Sequence, residues 1–141
     1  MSYKKLEIWQ IANELVIKIH KMTLVELPAF EMYEEGSQIR RSSKSVKSLI
    51  GEGFGRRAYK QDFLRFLING LASNDETIDH LENLYNTESL KNKQLFTEIH
   101  EQLEILGRKL NNFINAVQIK HNIVSEPESY YQSPDVENQK F

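Results

Sequence analysis

Seven basic side chains fall between Gln38 and Lys60, namely Arg40, Arg41, Lys44, Lys47, Arg56, Arg57 and Lys60, against one acid, Glu52. That stretch carries +6, while the rest of the chain carries eleven basic and nineteen acidic side chains, or −8. The net charge of −2 therefore conceals a polarised molecule. Cations interspersed with Ser42, Ser43, Ser45 and Ser48 suit the phosphate backbone of RNA or DNA, which asks for charge and hydrogen-bond donors but no base-specific geometry. All seven are candidate nucleic-acid contacts. Read as a helix turning about 100° per residue, residues 38–54 place Ile39, Ser43, Val46, Ile50 and Phe54 on an inward face. Arg40, Lys44 and Lys47 form a stripe beside it, and Arg41, Ser45, Ser48 and Glu52 a third face. Like charges four apart cost a few tenths of a kcal/mol, about 0.2–0.5, on an isolated helix. The stripe therefore calls for a partner. Phosphate is one. The alternative is a structural or adaptor protein in which Asp75, Asp79 and Glu82 serve as counter-stripe, within one chain or between subunits.

No constellation points to an enzyme. The histidines, His20, His80, His100 and His121, show no i, i+4 pairing with one another and no metalloprotease pattern. His20 with Glu14, or His80 with Glu76 and Asp79, has the spacing to chelate a metal, but charged helix surfaces produce such pairs by chance, and no metal site is read from them. The serines lack a His–Asp partner pattern; they read as small residues that let helices approach, or as hydroxyls that bond phosphate. Gly51, Gly53 and Gly55 have the spacing of a phosphate loop but follow a helical segment rather than a strand. They read as a helix end, with glycine supplying a left-handed cap and a close backbone approach. No cofactor is called for.

The elements that must hold the basic stretch read as all-α. At 141 residues with six Gly and three Pro, one domain of long helices is expected. A first helix over 4–23 carries Ile8, Ile11, Leu15, Ile19 and Met22, with Trp9 as a core side chain. A connector over Leu24–Phe30 follows, in which Pro28 ends any helical continuation. The second helix starts between Glu31 and Ser37 and runs to Gly55; the third spans 59–86 and the fourth 93–120. Asn74 falls in the third helix's apolar stripe and should bond Ser43 or Ser73, or sit at a subunit contact. The bundle is expected to occupy 1–121, followed by a polar, disordered tail over 122–141. Absence of Cys, of an apolar signal run and of a membrane-length apolar stretch leads to the expectation of a cytoplasmic protein with no membrane partner. Surplus apolar surface, and acids that would repel nucleic acid from a monomer, point to a homo-oligomer that gathers basic faces.

Leu27-Pro28-Ala29-Phe30-Glu31, Ser37-Gln38-Ile39-Arg40-Arg41-Ser42 and Glu52-Gly53-Phe54-Gly55-Arg56 strongly resemble the four-helix-bundle family of 23S rRNA-intervening-sequence proteins. Trp9-Gln10, Phe63-Leu64-Arg65-Phe66-Leu67, Ser73 and Glu76 continue the likeness, which covers about residues 4–118. The resemblance implies a bacterial protein, an up-down-up-down antiparallel bundle, and a ring, typically a pentamer. It implies a ribosomal RNA gene context or, through the related accessory variability proteins of diversity-generating retroelements, nucleic acid and a reverse transcriptase as partners. Arg40, Arg41 and Arg56 stand where the family pattern is basic. Lys44 and Lys47 depart from positions commonly apolar or Pro, and Leu49 replaces a common Asn.

Overall fold

The structure, a computed structural model, describes residues 2–120. The expected tail over 122–141 lies outside the described residues. Among them the chain forms α1 (Glu7–Val25), α2 (Glu35–Gly55), α3 (Lys60–Asn86) and α4 (Lys93–Lys120), and no strand. The predicted fourth helix has the observed limits, and the third differs by one residue. The first is offset: a 3-10 turn, Tyr3–Lys5, precedes α1. Ser2 Oγ accepts the Lys4 N–H there, and the chain then opens at Leu6, which is fully buried. Driving Leu6 into the core separates the arm from α1.

Each helix start has a local cause. Glu7, Glu35 and Asp62 stand in the first turns of α1, α2 and α3, where the helix dipole favours negative charge. Asn92 caps α4 by accepting the Leu95 N–H at 3.0 Å. The connector between α1 and α2 makes a second 3-10 turn, Ala29–Met32, after Pro28. Its Glu31 is buried; Oε1 accepts the Gly36 N–H at 3.2 Å and Oε2 accepts the Ser89 hydroxyl at 2.6 Å. One carboxylate thus ties the start of α2 to the turn between α3 and α4.

The helices enclose one core. α2 packs on α1 and α3, α3 on α4, and α4 returns to α1. Ile8, Leu15 and Ile19 from α1 meet Ile39, Val46 and Ile50 from α2, Leu67 and Leu81 from α3, and Leu106, Leu110 and Val117 from α4. Phe63 and Phe113 meet edge to face at 5.7 Å. Polar ties run in descending order along each neighbouring pair: Asn13–Lys47 and Thr23–Arg40, Glu35–His80 and Ser45–Ser73, Asn74–Leu103 and Glu82–His100, Glu7–Lys109 and Lys18–Glu98.

Three expectations need correction. Asn74 bonds neither Ser43 nor Ser73; its Nδ2 donates to the Leu103 carbonyl of α4 at 2.9 Å, and its Oδ1 is buried without a hydrogen-bond partner among the described residues. Ser73 is instead engaged with Ser45. Trp9 is not a sealed core side chain but half-buried at the rim of α1, packed on the core from outside. No described glycine has a positive φ, so the end of α2 is not a left-handed glycine cap.

Candidate nucleic-acid interface

The rotation of α2 sorts the basic stretch into three flanks. The flank toward α1 holds Arg40 and Lys47. Arg40 Nη1 donates to Thr23 Oγ1 at 2.9 Å and Nη2 to the Met32 carbonyl at 2.7 Å, so this guanidinium joins α2 to the end of α1 and to the connector. Lys47 Nζ donates to Asn13 Oδ1 at 3.2 Å and lies 5.7 Å from the Trp9 ring centroid. The flank toward α3 is neutral: Ser45 Oγ lies 3.1 Å from Ser73 Oγ, and Thr77 Oγ1 lies 2.8 Å from both Ser42 Oγ and the Ser73 carbonyl. The third flank faces solvent and carries Arg41, Lys44, Ser48 and Glu52. Arg41 and Lys44 make no hydrogen bond or ion pair among the described residues. The expected stripe of Arg40, Lys44 and Lys47 is therefore divided, with one of its three cations outward and two turned to α1.

The other three cations gather where α2 turns into α3. Gly53 is buried there, and a Cβ on it would lie 2.9 Å from Phe66 Cβ, so the absent side chain sets how near α3 comes. Arg57 donates from Nη1 to the Phe54 carbonyl at 2.9 Å, and its guanidinium lies 4.1 Å from the Phe54 ring centroid. Lys60 donates to the Gln118 carbonyl at 2.9 Å, a cation at the negative end of α4. Arg56 is half-exposed, 3.9 Å from Asp62, and stands over the Phe66 ring, as Arg65 also does. Of the seven candidates, Arg41, Lys44 and Arg56 are the cations turned outward, while Arg40, Lys47, Arg57 and Lys60 also join parts of the fold.

The acidic stripe does not reach α2 within the chain. Glu82 Oε2 is 2.8 Å from His100 Nε2 on α4, which places Asp75, Asp79 and Glu82 on the flank of α3 toward α4. The opposite flank, toward α2, bears Ser73, Thr77 and His80. The intrachain counter-stripe is thus ruled out by rotation about α3. His80 itself is buried between Glu35 Oε2, at 2.5 Å from Nδ1, and Glu76 Oε2, at 3.2 Å from Nε2. No group of three or more metal-binding side chains occurs among the described residues. No helix among them is long and apolar enough to cross a membrane.

No tertiary contact of Glu31, Glu35, Asn13 or Thr23 was read from the sequence. None stands near its bonding partner on a shared helix face, so periodicity carries no signal for them. Glu31 alone had a cue, because an acid among Pro28, Ala29, Phe30 and Met32 is out of keeping with its neighbours. Residues 4–112 match the family model described as 23S rRNA-intervening sequence protein. No curated protein matches the chain.

Proposed function

Because the chain belongs to the family of 23S rRNA-intervening sequence proteins, we propose that it is a non-enzymatic, homo-oligomeric antiparallel bundle that binds RNA or DNA backbone through the outward flank of α2. The carrying observation is that Arg41 and Lys44 are exposed with no hydrogen bond or ion pair among the described residues, on a chain whose net charge is −2. Unpaired cations repel one another and gain when they displace the counterions condensed on phosphates. Arg56 extends the flank beyond the end of α2. The family's description by a 23S rRNA intervening sequence supports RNA as the first ligand to test. The descending polar ties support the antiparallel order, as do the short connections between α2 and α3 and between α3 and α4. Exposed Ile17, Leu24 and Val25 on α1 and Ile119 on α4 support further burial between copies, with a pentameric ring as the assembly.

The test is binding of labelled RNA and DNA of unrelated sequence, measured by anisotropy across a salt series. Affinity should fall with a log–log slope of roughly −0.7 to −0.9 per phosphate neutralised. Arg41→Gln with Lys44→Gln should weaken binding to all sequences alike and make the slope shallower by about two such increments. Arg40→Gln should behave differently and lower the unfolding midpoint, since it removes the donor to Thr23 Oγ1 and to the Met32 carbonyl. Wild-type protein with no affinity for either nucleic acid at low salt ends this reading. One observation favours a second: Asp75 and Asp79 are exposed and make no ion pair among the described residues, leaving them open to the basic flank of a neighbouring subunit. On that reading the Arg41→Gln, Lys44→Gln variant loses its assembly rather than nucleic-acid affinity.

A further inference from the structure

Between the N-terminal arm, α1 and α2 lies a recess of about 580 Å³, formed by Tyr3, Lys4 and Trp9 on one side and Lys47, Ser48 and Gly51 on the other. We propose that it receives an unstacked base of single-stranded nucleic acid, with the adjoining phosphates on Lys4 and Lys47. This rests on the nucleic-acid reading above and specifies the form of the ligand.

The recess is built rather than incidental. Leu6 is fully buried and donates its N–H to the Tyr3 carbonyl, and Gln10 Nε2 donates to the Lys4 carbonyl, so Tyr3 and Lys4 are held in place from both sides. Tyr3 meets Trp9 edge to face at 5.5 Å and 66°, which leaves the indole half-buried instead of sealed. Lys47 stands over that indole and is steadied by Asn13. An ammonium has three donors; Asn13 accepts one, and two remain for phosphate. Gly51 adds bare backbone beneath the Tyr3 ring, to which a Cβ would come within 3.5 Å.

Chemistry and size select the occupant. An aromatic wall beside cations is the surface on which successive bases stack while their phosphates are neutralised. The volume falls within the range of about 300–1,000 Å³ usual for small-molecule sites, enough for one nucleotide. A duplex keeps its base faces covered and has none to offer. Glu52 also lines the recess and offsets one of the two lysines, so the recess alone is a poor trap for a free phosphorylated nucleotide. The outward flank lies alongside, because Ser48 belongs to both surfaces and Lys44 is one helical turn before it. A strand seated at Trp9 thus continues onto the cations of the proposed interface.

Trp9 is the chain's single tryptophan, so its emission reports the recess directly. The probes are a short oligouridylate, an oligothymidylate, a duplex of equal length and uridine monophosphate, each followed by anisotropy or competition together with Trp9 fluorescence. Either single strand should quench Trp9 with the midpoint seen by anisotropy, and the duplex should bind without quenching. Trp9→Leu should weaken single-strand binding about tenfold, the loss expected for one stacked base, and leave duplex binding unchanged. Gly51→Leu, which fills the recess without touching the core, should cause the same selective loss and guards against a folding defect in the Trp9 variant. Single strands that bind with no change in Trp9 emission, and as tightly to Gly51→Leu, overturn the recess and leave the backbone interface standing. Quenching by uridine monophosphate at the same concentrations as the oligomers overturns the strand assignment in favour of a mononucleotide site. Failure of every nucleic acid to bind overturns both readings.

Discussion

Glu31 shows how one side chain can hold distant parts of the chain together. It is 5% exposed, and its two oxygens accept from Gly36 and Ser89, which lie five and fifty-eight positions away. Removing an acceptor while its donors stay buried costs about 1–3 kcal/mol. Glu31→Ala should therefore lower stability by that order in urea denaturation, whereas Glu34→Ala, at an exposed site, should stay within roughly 0.5 kcal/mol. Equal effects from the two would show that Glu31 is not a tie. Gly36 belongs to the same device, because a Cβ there would stand 2.4 Å from the Glu31 carbonyl oxygen. The pattern of residue types around Glu31, an acid among Pro28, Ala29, Phe30 and Met32, offered a cue that was not read. It carried no information about Ser89, since that contact depends on how two connectors meet at one end of the molecule.

At the scale of elements, α2 and α3 share the most extensive packing, and small residues allow it. Ser42, Ser45 and Gly53 on α2 face Ser73, Thr77 and Phe66 on α3. The serines were legible as residues that let helices approach, but which serine meets which hydroxyl follows from the offset of α2 along α3, and no repeat in either helix encodes that. Gly53→Ala forces its new Cβ against Phe66 Cβ, a contact neither helix can relieve by a rotamer change. It should cost about 1–3 kcal/mol, as overpacking does, and be seen as a lower denaturation midpoint with fold retained. Gly55→Ala is the control. Nothing lies within 4 Å of its Cβ position and its φ is not positive, so the change should fall within about 0.5 kcal/mol. A large loss at Gly55 with none at Gly53 would reverse this account of the α2–α3 corner.

For the whole molecule, the polarity seen in the charge count survives folding but changes its layout. Four of the seven cations make hydrogen bonds to other parts of the fold, leaving Arg41, Lys44 and Arg56 to a partner. Three cations on a net acidic chain form a weak footprint alone, which the proposed ring would multiply. Light scattering should give a mass near five times 16.6 kDa. A mass of one chain at micromolar concentration would remove the ring and leave exposed Ile17, Leu24 and Val25 without a role.

The sequence by itself determined the four helices and their inward faces. Apolar spacing along one helix is a local property, and burial of Ile39, Val46, Ile50 and Phe54 or of Leu103, Leu106 and Leu110 follows directly from it. Glycine spacing beside a helix likewise sufficed to set aside a phosphate loop. Only the tertiary structure decided what each polar flank faces. A stripe at i, i+4, i+7 looks uniform on an isolated helix, yet α1 lies along one edge of α2, so Arg40 and Lys47 turn to Thr23 and Asn13 while Lys44 does not. The same rotation sends Asp75, Asp79 and Glu82 toward α4, out of reach of the cations that the alternative reading paired with them within the chain. Trp9 follows this rule too. Its place in the apolar stripe was visible, but the arm folding back across α2 left it at the rim of a recess, because burying Leu6 brings Tyr3 against its edge.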